Sequence, residues 1–476
     1  SPLTCPSPAM FFREDLIRQN VRLVHSEYDF EDCIGEGAFG KVHKATHRRT
    51  GVRRAIKAIP KSGTESEEFE WELQALVALD HPHIVKVIEY FVDAEMYYIV
   101  MELCTGPDVF SYIIESMEKP GGTGFVSELE ASVIARHCLK AMLCCHAHGF
   151  VHRDLNAKNF MITGSDQTVK LIDFGLAKRF QSREPKEGYV EIVGTAHYMA
   201  PEMMLKGRYS PAADLWSLGV LLYVTLTGVM LLPKDDEKKM ACHRKGTYVQ
   251  RQLQRSERLQ KRAVSAQARD MLERLLQHDP AKRLTAPEAL SHPFIRQYCH
   301  DYLGPPFTIR DEFDGDILGK LRRYGKAPRL QKVAYLMMAH LADHERGLME
   351  AWHTFRTLDT DGDGEISLQD MEEGCKAHKL ELPQDLAEVF ASCDGDCSGK
   401  LSSVEFLACL LPDTLVDERL CHEVFNLLDP ESKGRLSASD LQAALPTFDL
   451  GMCQKMVESA DKTRRGYFDF EDFHIH

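Results

Sequence analysis

Three polar residues at fixed spacing give this sequence its clearest chemical signal. His152-Arg153-Asp154 is followed, after four intervening residues, by Asn159, and Asp173-Phe174-Gly175 begins fourteen residues after Asn159. Transfer of a phosphoryl group to a hydroxyl needs a carboxylate that orients the hydroxyl and accepts its proton, and oxygen ligands that hold magnesium on the phosphates. Asp154 fits the first role, and Asn159 and Asp173 fit the second. A charged loop without chemistry is the alternative, which the combined spacing of both motifs disfavours.

The elements that must position these residues include a glycine-rich turn near the start of the chain. Gly35, Gly37 and Gly40 lie in IGEGAFGKV, a spacing that dinucleotide-binding folds share. In those folds a helix follows the turn at once. Here a β-rich stretch leads instead to Lys57, in the strand-like run RAIKAI over residues 54–59. The pattern therefore favours a glycine hairpin that lets backbone N–H groups approach phosphates.

Two further elements follow the lysine strand. Residues 65–79 have the composition of a helix and carry Glu72, and the apolar strand 97–101 leads into Glu102-Leu103-Cys104. The order of these motifs resembles that of protein kinases. The resemblance implies that Glu72, if it is not simply an exposed helix residue, pairs with Lys57 and so positions the lysine on the phosphates of ATP. It implies the following nucleotide-contacting residues: Ile34, Gly35, Glu36, Gly37, Ala38, Phe39, Gly40, Val42, Lys57, Glu102, Cys104 and Asp108.

The remaining kinase motifs follow in the expected order. Ala200-Pro201-Glu202 closes the activation segment, an apolar helix opens at Asp214, and Arg283 is expected to be the buried partner of Glu202. The resemblance covers roughly residues 28–295 and implies an α+β bilobal protein-kinase fold that uses ATP and Mg²⁺. Thr195 is more typical of serine/threonine kinases than of tyrosine kinases.

Three positions depart from the usual kinase pattern. Asn156 stands where serine/threonine kinases have a lysine, and we expect Lys158 to reach the γ-phosphate instead. Glu191 stands where many kinases carry a phosphorylated threonine, so a permanent carboxylate is expected to face Arg153 and order the activation segment. Kinases that prefer two arginines ahead of the phosphorylated residue have acids at the positions of Lys158 and Val224. Asp108 is left as the candidate acceptor for one substrate arginine.

A twelve-residue pattern occurs four times in the last part of the chain. Loop 1 (359–370), loop 2 (394–405), loop 3 (429–440) and loop 4 (461–472) begin 35, 35 and 32 residues apart. Each loop has glycine at its sixth position, for a sharp turn, and an apolar eighth residue to pair with a neighbouring loop. Those eighth residues are Ile366, Leu401, Leu436 and Phe468. Four such loops in register predict EF-hands, in an all-α calmodulin-like domain over residues 346–476.

The loops differ in the ligands that they offer to Ca²⁺. The candidate ligands are Asp359, Asp361, Asp363, the Glu365 carbonyl and Asp370 in loop 1, and Asp394, Asp396, Ser398, the Lys400 carbonyl and Glu405 in loop 2. Asp370 is shorter than the usual bidentate glutamate, which weakens calcium binding and relatively favours magnesium. Lys433 in loop 3 and Arg465 in loop 4 stand at ligand positions, where a cation opposes binding. We expect two calcium sites, in loops 1 and 2, and a structural docking role for loops 3 and 4.

A junction over residues 296–345 links the two blocks. One apolar stripe contains Ile317, Leu318, Leu321 and Tyr324, and a second contains Val333, Leu336, Met337 and Leu341, with lysines and arginines around both. Basic amphipathic helices are typical calmodulin-type targets. Beside an EF-hand block we favour that interpretation over an ordinary linker helix.

The order of kinase, basic junction and four EF-hands resembles that of the calcium-dependent protein kinases of plants and protists, over about residues 28–476. The resemblance implies a serine/threonine kinase acting on protein hydroxyls. It implies an intramolecular contact in which the junction blocks the kinase at low calcium and is withdrawn by the EF-hand domain. A calcium-sensing scaffold with a catalytically weak kinase lobe is the alternative, and Asn156 is its support.

Composition limits the classes of partner. The chain has 476 residues, 44% of them hydrophobic and 27% charged, and a net charge of −14, which argues against nucleic acid as a partner. Fourteen cysteines without a repeating framework indicate thiols in a cytoplasmic protein, and no apolar run reaches the length of a membrane span. Residues 1–27 are expected to form an extension that docks on a lobe, and anchoring through a preceding acylated segment stays open. We expect a monomer.

Overall fold

A computed structural model describes residues 16–17, 19–37, 40–62, 66–118, 125–163, 168–180, 193–298, 303–304, 307–308, 316–342, 348–378 and 381–473. The chain divides into two compact units. The first contains Ser1–Thr64, Lys86–Leu103 and Arg310–His476, and the second contains Glu65–Val85 and Cys104–Ile309. Among the described helices, none combines the length and the apolar character that crossing a bilayer requires. The domain boundaries drawn from the sequence stay predictions.

A six-stranded sheet forms the N-terminal part of the first unit. Its strands are β1 (Gln19–Asn20), β2 (Tyr28–Gly37), β3 (Gly40–His47), β4 (Arg53–Pro60), β5 (Val87–Val92) and β6 (Met96–Glu102), with the short helix α1 (Val24–Glu27) before β2. The spatial order is β1-β5-β6-β4-β3-β2, and only the β1–β5 pair among these is parallel. Lys57 on β4 lies opposite Val42 on β3 and Ile99 on β6, so the sheet holds the lysine on a central strand.

The second unit is mainly helical. Its helices are α2 (Ser66–Ala78), α3 (Val109–Glu118), α4 (Glu128–Ala147), α5 (Pro201–Lys206), α6 (Pro211–Thr227), α7 (Asp236–Arg244), α8 (Tyr248–Arg255), α9 (Glu257–Lys261), α10 (Ala266–Leu275), α11 (Ala286–Leu290) and α12 (Pro293–Arg296), with a 3₁₀ turn at Pro280–Lys282. Its short strands are β7 (Phe150–Val151), β8 (Phe160–Thr163), β9 (Thr168–Leu171), β10 (Lys178–Arg179), β11 (Leu303–Gly304) and β12 (Phe307–Thr308). They pair as β7–β10, β8–β9 and β11–β12.

Helices α4 and α6 form the centre of this unit. Helix α4 begins with a capping box in which Ser127 and Glu130 satisfy each other's backbone N–H groups. Helix α6 is buried on all sides from Ala213 to Thr227, because its sequence is apolar around the whole helix. A Cβ added at Gly219 of α6 would lie 2.9 Å from Leu276, so a glycine is needed where α6 meets the end of α10.

The remaining elements belong to the first unit. They are α13 (Ile317–Lys326), α14 (Arg329–Leu341), α15 (Met349–Leu358), β13 (Glu365–Ser367), α16 (Leu368–Ala377), α17 (Leu386–Cys393), β14 (Lys400–Ser402), α18 (Ser403–Cys409), a 3₁₀ turn at Asp413–Leu415, α19 (Glu418–Leu428), β15 (Arg435–Ser437), α20 (Ala438–Ala444), α21 (Leu450–Ala460), β16 (Tyr467–Asp469) and α22 (Phe470–Phe473). The two apolar stripes predicted in the junction lie on α13 and α14 and join one hydrophobic cluster with the helices that flank the four loops. Helix α13 packs on α17, and α14 packs on α18 and α19.

The C-terminal end of α14 also contacts the sheet of the same unit. Lys86 Nζ donates to the Ala339 carbonyl at 3.2 Å, and a guanidinium nitrogen of Arg54 donates to the Leu341 carbonyl. His340 Nε2 donates to the Ile88 carbonyl at 2.9 Å. The last carbonyls of a helix carry partial negative charge, so the two cations stabilise this contact.

Candidate active site and calcium-binding loops

A buried carboxylate at the start of α6 fixes the catalytic loop. The two oxygens of Asp214 accept the backbone N–H groups of His152 and Arg153, each at 3.1 Å, and one of them lies 2.9 Å from His146 Nε2. Arg153 has φ 69°, a left-handed conformation that costs a non-glycine residue about 1 kcal/mol or more. The bonds from Asp214 help to hold the loop in this conformation.

The carboxylate of Asp154 is oriented from both sides. Its Oδ1 accepts bonds of 2.7 Å from both the backbone N–H and the hydroxyl of Thr195. Its Oδ2 accepts a 3.2 Å bond from Asn159 Nδ2, which also donates to the Asp154 carbonyl at 2.9 Å. These bonds use the amide nitrogen of Asn159 and leave its oxygen for a different role. The structure thus brings together two of the three residues predicted to carry phosphoryl transfer.

Asn156, the first departure from the kinase pattern, braces the same loop. Its Nδ2 donates to Thr195 Oγ1 at 3.2 Å and to the Asp154 carbonyl at 3.3 Å, and its Oδ1 accepts the Lys158 N–H at 2.9 Å. The Lys158 side chain is exposed, with its ammonium 5.7 Å from the centre of the Phe110 ring. The γ-phosphate role of Lys158 stays a prediction.

The end of the activation segment lies directly against the catalytic loop. Gly194 has φ 103°, and a Cβ there would lie 2.5 Å from the Arg153 carbonyl oxygen. Arg153 donates from Nε to the Leu176 carbonyl at 2.6 Å, and its guanidinium lies 4.7 Å from the centre of the Tyr209 ring. Glu191 lies outside the described residues, so the predicted contact between Glu191 and Arg153 stays a prediction.

The predicted metal-binding turn, residues 173–175, is closed by its own residues. Asp173 Oδ1 accepts the Gly175 N–H at 3.1 Å, and Phe174 is buried edge-on against His152, with ring centres 5.1 Å apart. Burial lowers the pKa of His152, so the imidazole beside Phe174 is neutral at pH 7. The buried Phe174 thus anchors the turn that carries Asp173.

The glycine turn is an antiparallel hairpin of β2 and β3. Gly37 pairs with Gly40 and Gly35 pairs with Val42, and the chain then enters β4 rather than a helix, as predicted. A Cβ at Gly40, where φ is 144°, would lie 2.2 Å from the Ala58 carbonyl oxygen. Only glycine fits there. Within the same hairpin Ile34 and Glu36 are described, whereas Ala38 and Phe39 lie outside the described residues.

The other predicted nucleotide-contacting residues are placed by β4, β6 and the start of α3. Glu102 is buried, and its Oε1 accepts the Lys86 N–H at 2.8 Å. Asp108 caps α3 by accepting the Ser111 N–H at 2.8 Å and the Ser111 hydroxyl at 2.9 Å. Lys57 and Glu72 are both buried but belong to different units. Their ion pair and the nucleotide roles of Glu102, Cys104 and Asp108 stay predictions.

The predicted pair of Glu202 and Arg283 is confirmed. Arg283 donates through both terminal nitrogens to the two Glu202 oxygens, at 2.5 and 2.7 Å, and its side chain is wholly buried. The guanidinium also lies 5.0 Å from the centre of the Trp216 ring. A bidentate pair in this setting ties α5 to the segment after α10.

Loops 1 and 2 each gather three carboxylates. The ligand oxygens of Asp359, Asp361 and Asp363 lie within 4.8 Å of one another, as do those of Asp394, Asp396 and Glu405. The sixth-position glycines have φ values of 92° in loop 1 and 84° in loop 2, the sharp turn that the pattern predicts. Such sets of oxygen donors fit Ca²⁺.

The electrostatics of the two clusters point the same way. Burial, reinforced by the charge of Asp396, raises the pKa of Glu405 to about 8. Burial, and then the charges of neighbouring carboxylates, raise the pKa of Asp361. Burial also raises the pKa of Asp394, and a hydrogen bond with Asp396 and the charge of Asp396 add to the rise. The carboxylates of each cluster are thus crowded and partly shielded from water, a setting in which a divalent cation would stabilise their charged forms.

The twelfth residues of the two loops are used differently. Asp370 accepts from the Ser367 N–H and hydroxyl at 3.0 and 2.5 Å and from the Thr360 hydroxyl at 2.7 Å, and the carboxylate cluster found in loop 1 does not include it. Glu405 is a member of the loop 2 cluster, and its Oε1 also accepts the Gly395 N–H at 2.8 Å. Ser398, another predicted ligand, donates to the Lys400 carbonyl at 3.0 Å.

Loops 3 and 4 carry side-chain cations among their own acids. Lys433 Nζ lies 2.6 Å from Asp440 and 2.9 Å from Glu431. Arg465 contacts Asp469 at 2.9 Å and also pairs with Asp472. These cations bind carboxylates at the third, ninth or twelfth loop positions, which would otherwise face an ion. The residues present therefore do not fit calcium.

The loops pair as the sequence predicts. Ile366 lies opposite Leu401 in β13–β14, and Leu436 lies opposite Phe468 in β15–β16. All four side chains are wholly buried. The small sheets join loop 1 to loop 2 and loop 3 to loop 4.

Comparison with known proteins identifies the family. Residues 28–295 match the protein kinase domain. The chain is 29% identical over 456 residues to "Calcium-dependent protein kinase 3" of Plasmodium berghei, covering 93% of this chain and 78% of that protein. It is 30% identical over 477 residues to "Calcium-dependent protein kinase 9" of Oryza sativa subsp. japonica, covering 97% and 78%, and 30% identical over 465 residues to "Calcium-dependent protein kinase 8" of Arabidopsis thaliana, covering 94% and 82%.

The chain belongs to the calcium-dependent protein kinases. As a member of this family it is a protein serine/threonine kinase, with a β-sheet N-terminal lobe, a helical C-terminal lobe and a helical C-terminal region. The predicted family and fold class are confirmed, and the scaffold alternative is not favoured. The kinase fold implies ATP and Mg²⁺.

Two residues of this calcium-dependent protein kinase had no role assigned from the sequence. From the sequence, Asp214 marks only the start of an apolar helix, although a lone acid in such a run signals a buried hydrogen-bonding role. Asn156 stands in the place of a lysine, but its amide bonds the Asp154 carbonyl and the Lys158 N–H of the catalytic loop and the Thr195 hydroxyl of the activation segment. Both roles depend on tertiary contacts.

Proposed function

We propose that this protein is a calcium-activated serine/threonine kinase in which loops 1 and 2 hold the activating ions. The observation that carries the proposal is the pair of three-carboxylate clusters in these loops. The helices that flank the loops share one hydrophobic cluster with junction helices α13 and α14. Relatives named calcium-dependent protein kinases along most of the chain support the same function.

In the kinase site we assign proton acceptance to Asp154. Thr195 and Asn159 hold its two oxygens, so the carboxylate is oriented before a substrate arrives. A serine or threonine hydroxyl of a protein substrate that binds this carboxylate is aligned for attack and gives up its proton there. ATP with Mg²⁺ supplies the phosphoryl group, and we assign the metal to Asn159 and Asp173.

The nucleotide itself is assigned to the first unit's sheet and to the hinge. Backbone N–H groups of the glycine hairpin approach the phosphates, which the tight packing of Gly40 on β4 permits. Lys57, positioned by Glu72, and Lys158 neutralise phosphate charge. The hinge residues Glu102 and Cys104 contact the adenine.

One helix, α18, connects calcium binding in loop 2 to the junction. Glu405, the twelfth residue of the loop, lies on α18, and α18 packs against α14. Asp394, Asp396 and Glu405 would hold the ion, and a shift of Glu405 on binding would reorient α18, as in sensor EF-hands. Helix α14 must follow, and we propose that this movement relieves the block that the junction imposes on the kinase.

The remaining expectations about partners are part of the proposal. Substrates are proteins, and the chain acts as a monomer. The twelve cysteines in the described part of the chain are not joined in disulfides, which supports an intracellular and cytoplasmic location.

A phosphotransfer assay on the full chain tests the proposal. With Mg-ATP and a serine/threonine peptide, we expect turnover in calcium and loss of turnover in excess chelator. Asp154→Asn, which keeps the size of the side chain, should abolish transfer in both conditions and leave the circular dichroism spectrum unchanged. Turnover that ignores the chelator would refute calcium activation, and nucleotide binding without any transfer would restore the scaffold alternative.

A further inference from the structure

Lys400 joins loop 2 to loop 1. It occupies the seventh position of loop 2 and begins β14, where it pairs with Ser367 of β13. Its side chain crosses to loop 1, where the ammonium contacts Asp363 Oδ2 and lies 3.2 Å from Glu365 Oε2. These partners are partly buried, with 21% of the Asp363 side chain and 34% of the Glu365 side chain exposed.

Lys400 contacts a carboxylate that loop 1 needs for an ion. Asp363 Oδ1 already accepts the Glu365 N–H at 2.9 Å. The Lys400 ammonium lies on the other oxygen, Oδ2, and Asp363 is one of the three members of the loop 1 cluster. An ammonium on Asp363 and a calcium ion in loop 1 therefore compete for the same carboxylate.

We infer that the Lys400 ammonium is a tethered competitor for calcium in loop 1, so that an ion entering loop 1 must displace it. The inference rests on the proposed function, since it supposes that loops 1 and 2 bind calcium. The Lys400 ammonium makes loop 1 fill at a higher calcium concentration than loop 2. It is separate from the short twelfth ligand Asp370, which weakens the same loop by a different route.

The same residue also serves loop 2. Its backbone carbonyl is the predicted seventh-position ligand there and already accepts the Ser398 hydroxyl. Calcium binding in loop 1 therefore releases the side chain of Lys400, while the backbone carbonyl of the same residue belongs to loop 2. The cations of loops 3 and 4 differ, because Lys433 and Arg465 bind acids of their own loops.

Titration calorimetry on the full chain with calcium chloride tests the inference. The background variant Glu405→Gln disables loop 2, so the remaining heat reports loop 1. Adding Lys400→Met keeps the aliphatic part of the side chain and removes the ammonium. We expect the dissociation constant of loop 1 to fall about tenfold, the order expected when a unit charge a few ångströms from a divalent ion is removed. Lys400→Gln should give a similar fall, and Lys400→Arg should give none.

Lys376→Met in the same background is the matched control. Lys376 is exposed on α16, pairs with Glu372 at 3.6 Å, and carries the same charge without contacting a loop ligand. We expect a change of less than about twofold, because screened charges at a distance contribute little. Equal shifts in the Lys376 and Lys400 variants, or weaker binding after Lys400→Met, would overturn the inference alone. Absence of calcium uptake by the wild type would overturn the proposed function along with it.

Discussion

Glu423 on α19 gives the protein a pH-dependent contact with its own sheet. The side chain is 8% exposed and lies 3.2 Å from Arg49 and 3.6 Å from His47. Burial raises the pKa of Glu423 from 4.5 to about 7, with Arg49 opposing and Glu89 and Glu27 adding to the rise. Burial lowers the pKa of His47 to about 4, so this histidine is neutral at pH 7 and does not compensate the carboxylate.

The sign and size of the effect follow from linkage. A carboxyl whose pKa is higher in the folded state binds more protons there, so its stabilising contribution is complete below pH 4.5 and is lost as the pH rises through about 7. For a folded value of about 7, the contribution falls by about 1.4 kcal/mol between pH 6 and pH 8. This is roughly a tenfold rise in the opening equilibrium of α19 from the sheet.

Hydrogen exchange of the full chain, measured by mass spectrometry in saturating calcium, is the assay. Corrected for intrinsic rates, the opening free energy of α19 in the wild type should fall from pH 6 to pH 8 by about 1.4 kcal/mol more than in Glu423→Gln. Glu418→Gln, at the exposed start of the same helix, is the control and should behave as the wild type. Parallel pH profiles for the wild type and Glu423→Gln would refute the reasoning.

Three further outcomes follow from the sites. Gly194→Ala places a methyl group against the Arg153 carbonyl at a positive φ. We expect this substitution to lower kcat for peptide phosphorylation by at least tenfold. The melting temperature of the chain should change little. Glu405→Gln should raise the calcium needed for half-maximal activity by a large factor and Asp370→Ala by a smaller one, because Asp370 lies outside the loop 1 cluster; equal shifts would contradict this. Lys433→Asp replaces the internal cation of loop 3 with a ligand, and calorimetry should then count about three calcium ions where the wild type binds about two.

Periodic and short-range features of the chain were predictable from the sequence. The facing of Ile366 and Leu401 follows from the eighth-position rule of the loops, and the stripes on α13 and α14 follow from helical spacing. The Glu202–Arg283 pair could be predicted because the kinase motifs place both residues. Each of these depends on local pattern or on a family signature.

Contacts set by side-chain direction were not predictable. The sequence assigned Lys400 a backbone role in loop 2, but the direction of its side chain across the small sheet depends on the pairing of β13 with β14. The same holds for Asp214, whose partners lie more than sixty residues away in the chain. The contact of α14 with Arg54 and Lys86 joins segments that share no sequence signal.

That last contact has a mechanical consequence. Arg54, which holds the final turn of α14, lies three positions before Lys57 on β4 and directly opposite Glu102 on β6. About 10 Å of extended strand separates Arg54 from Lys57, the lysine that we assign to the nucleotide phosphates. A paired strand in the middle of a sheet shifts as a whole rather than stretching. If loops 1 and 2 bind calcium as proposed, β4 couples α14 to the lysine that we assign to the nucleotide phosphates. Coupling between two binding sites is reciprocal. Whatever factor calcium applies to nucleotide affinity, nucleotide must therefore apply to calcium affinity.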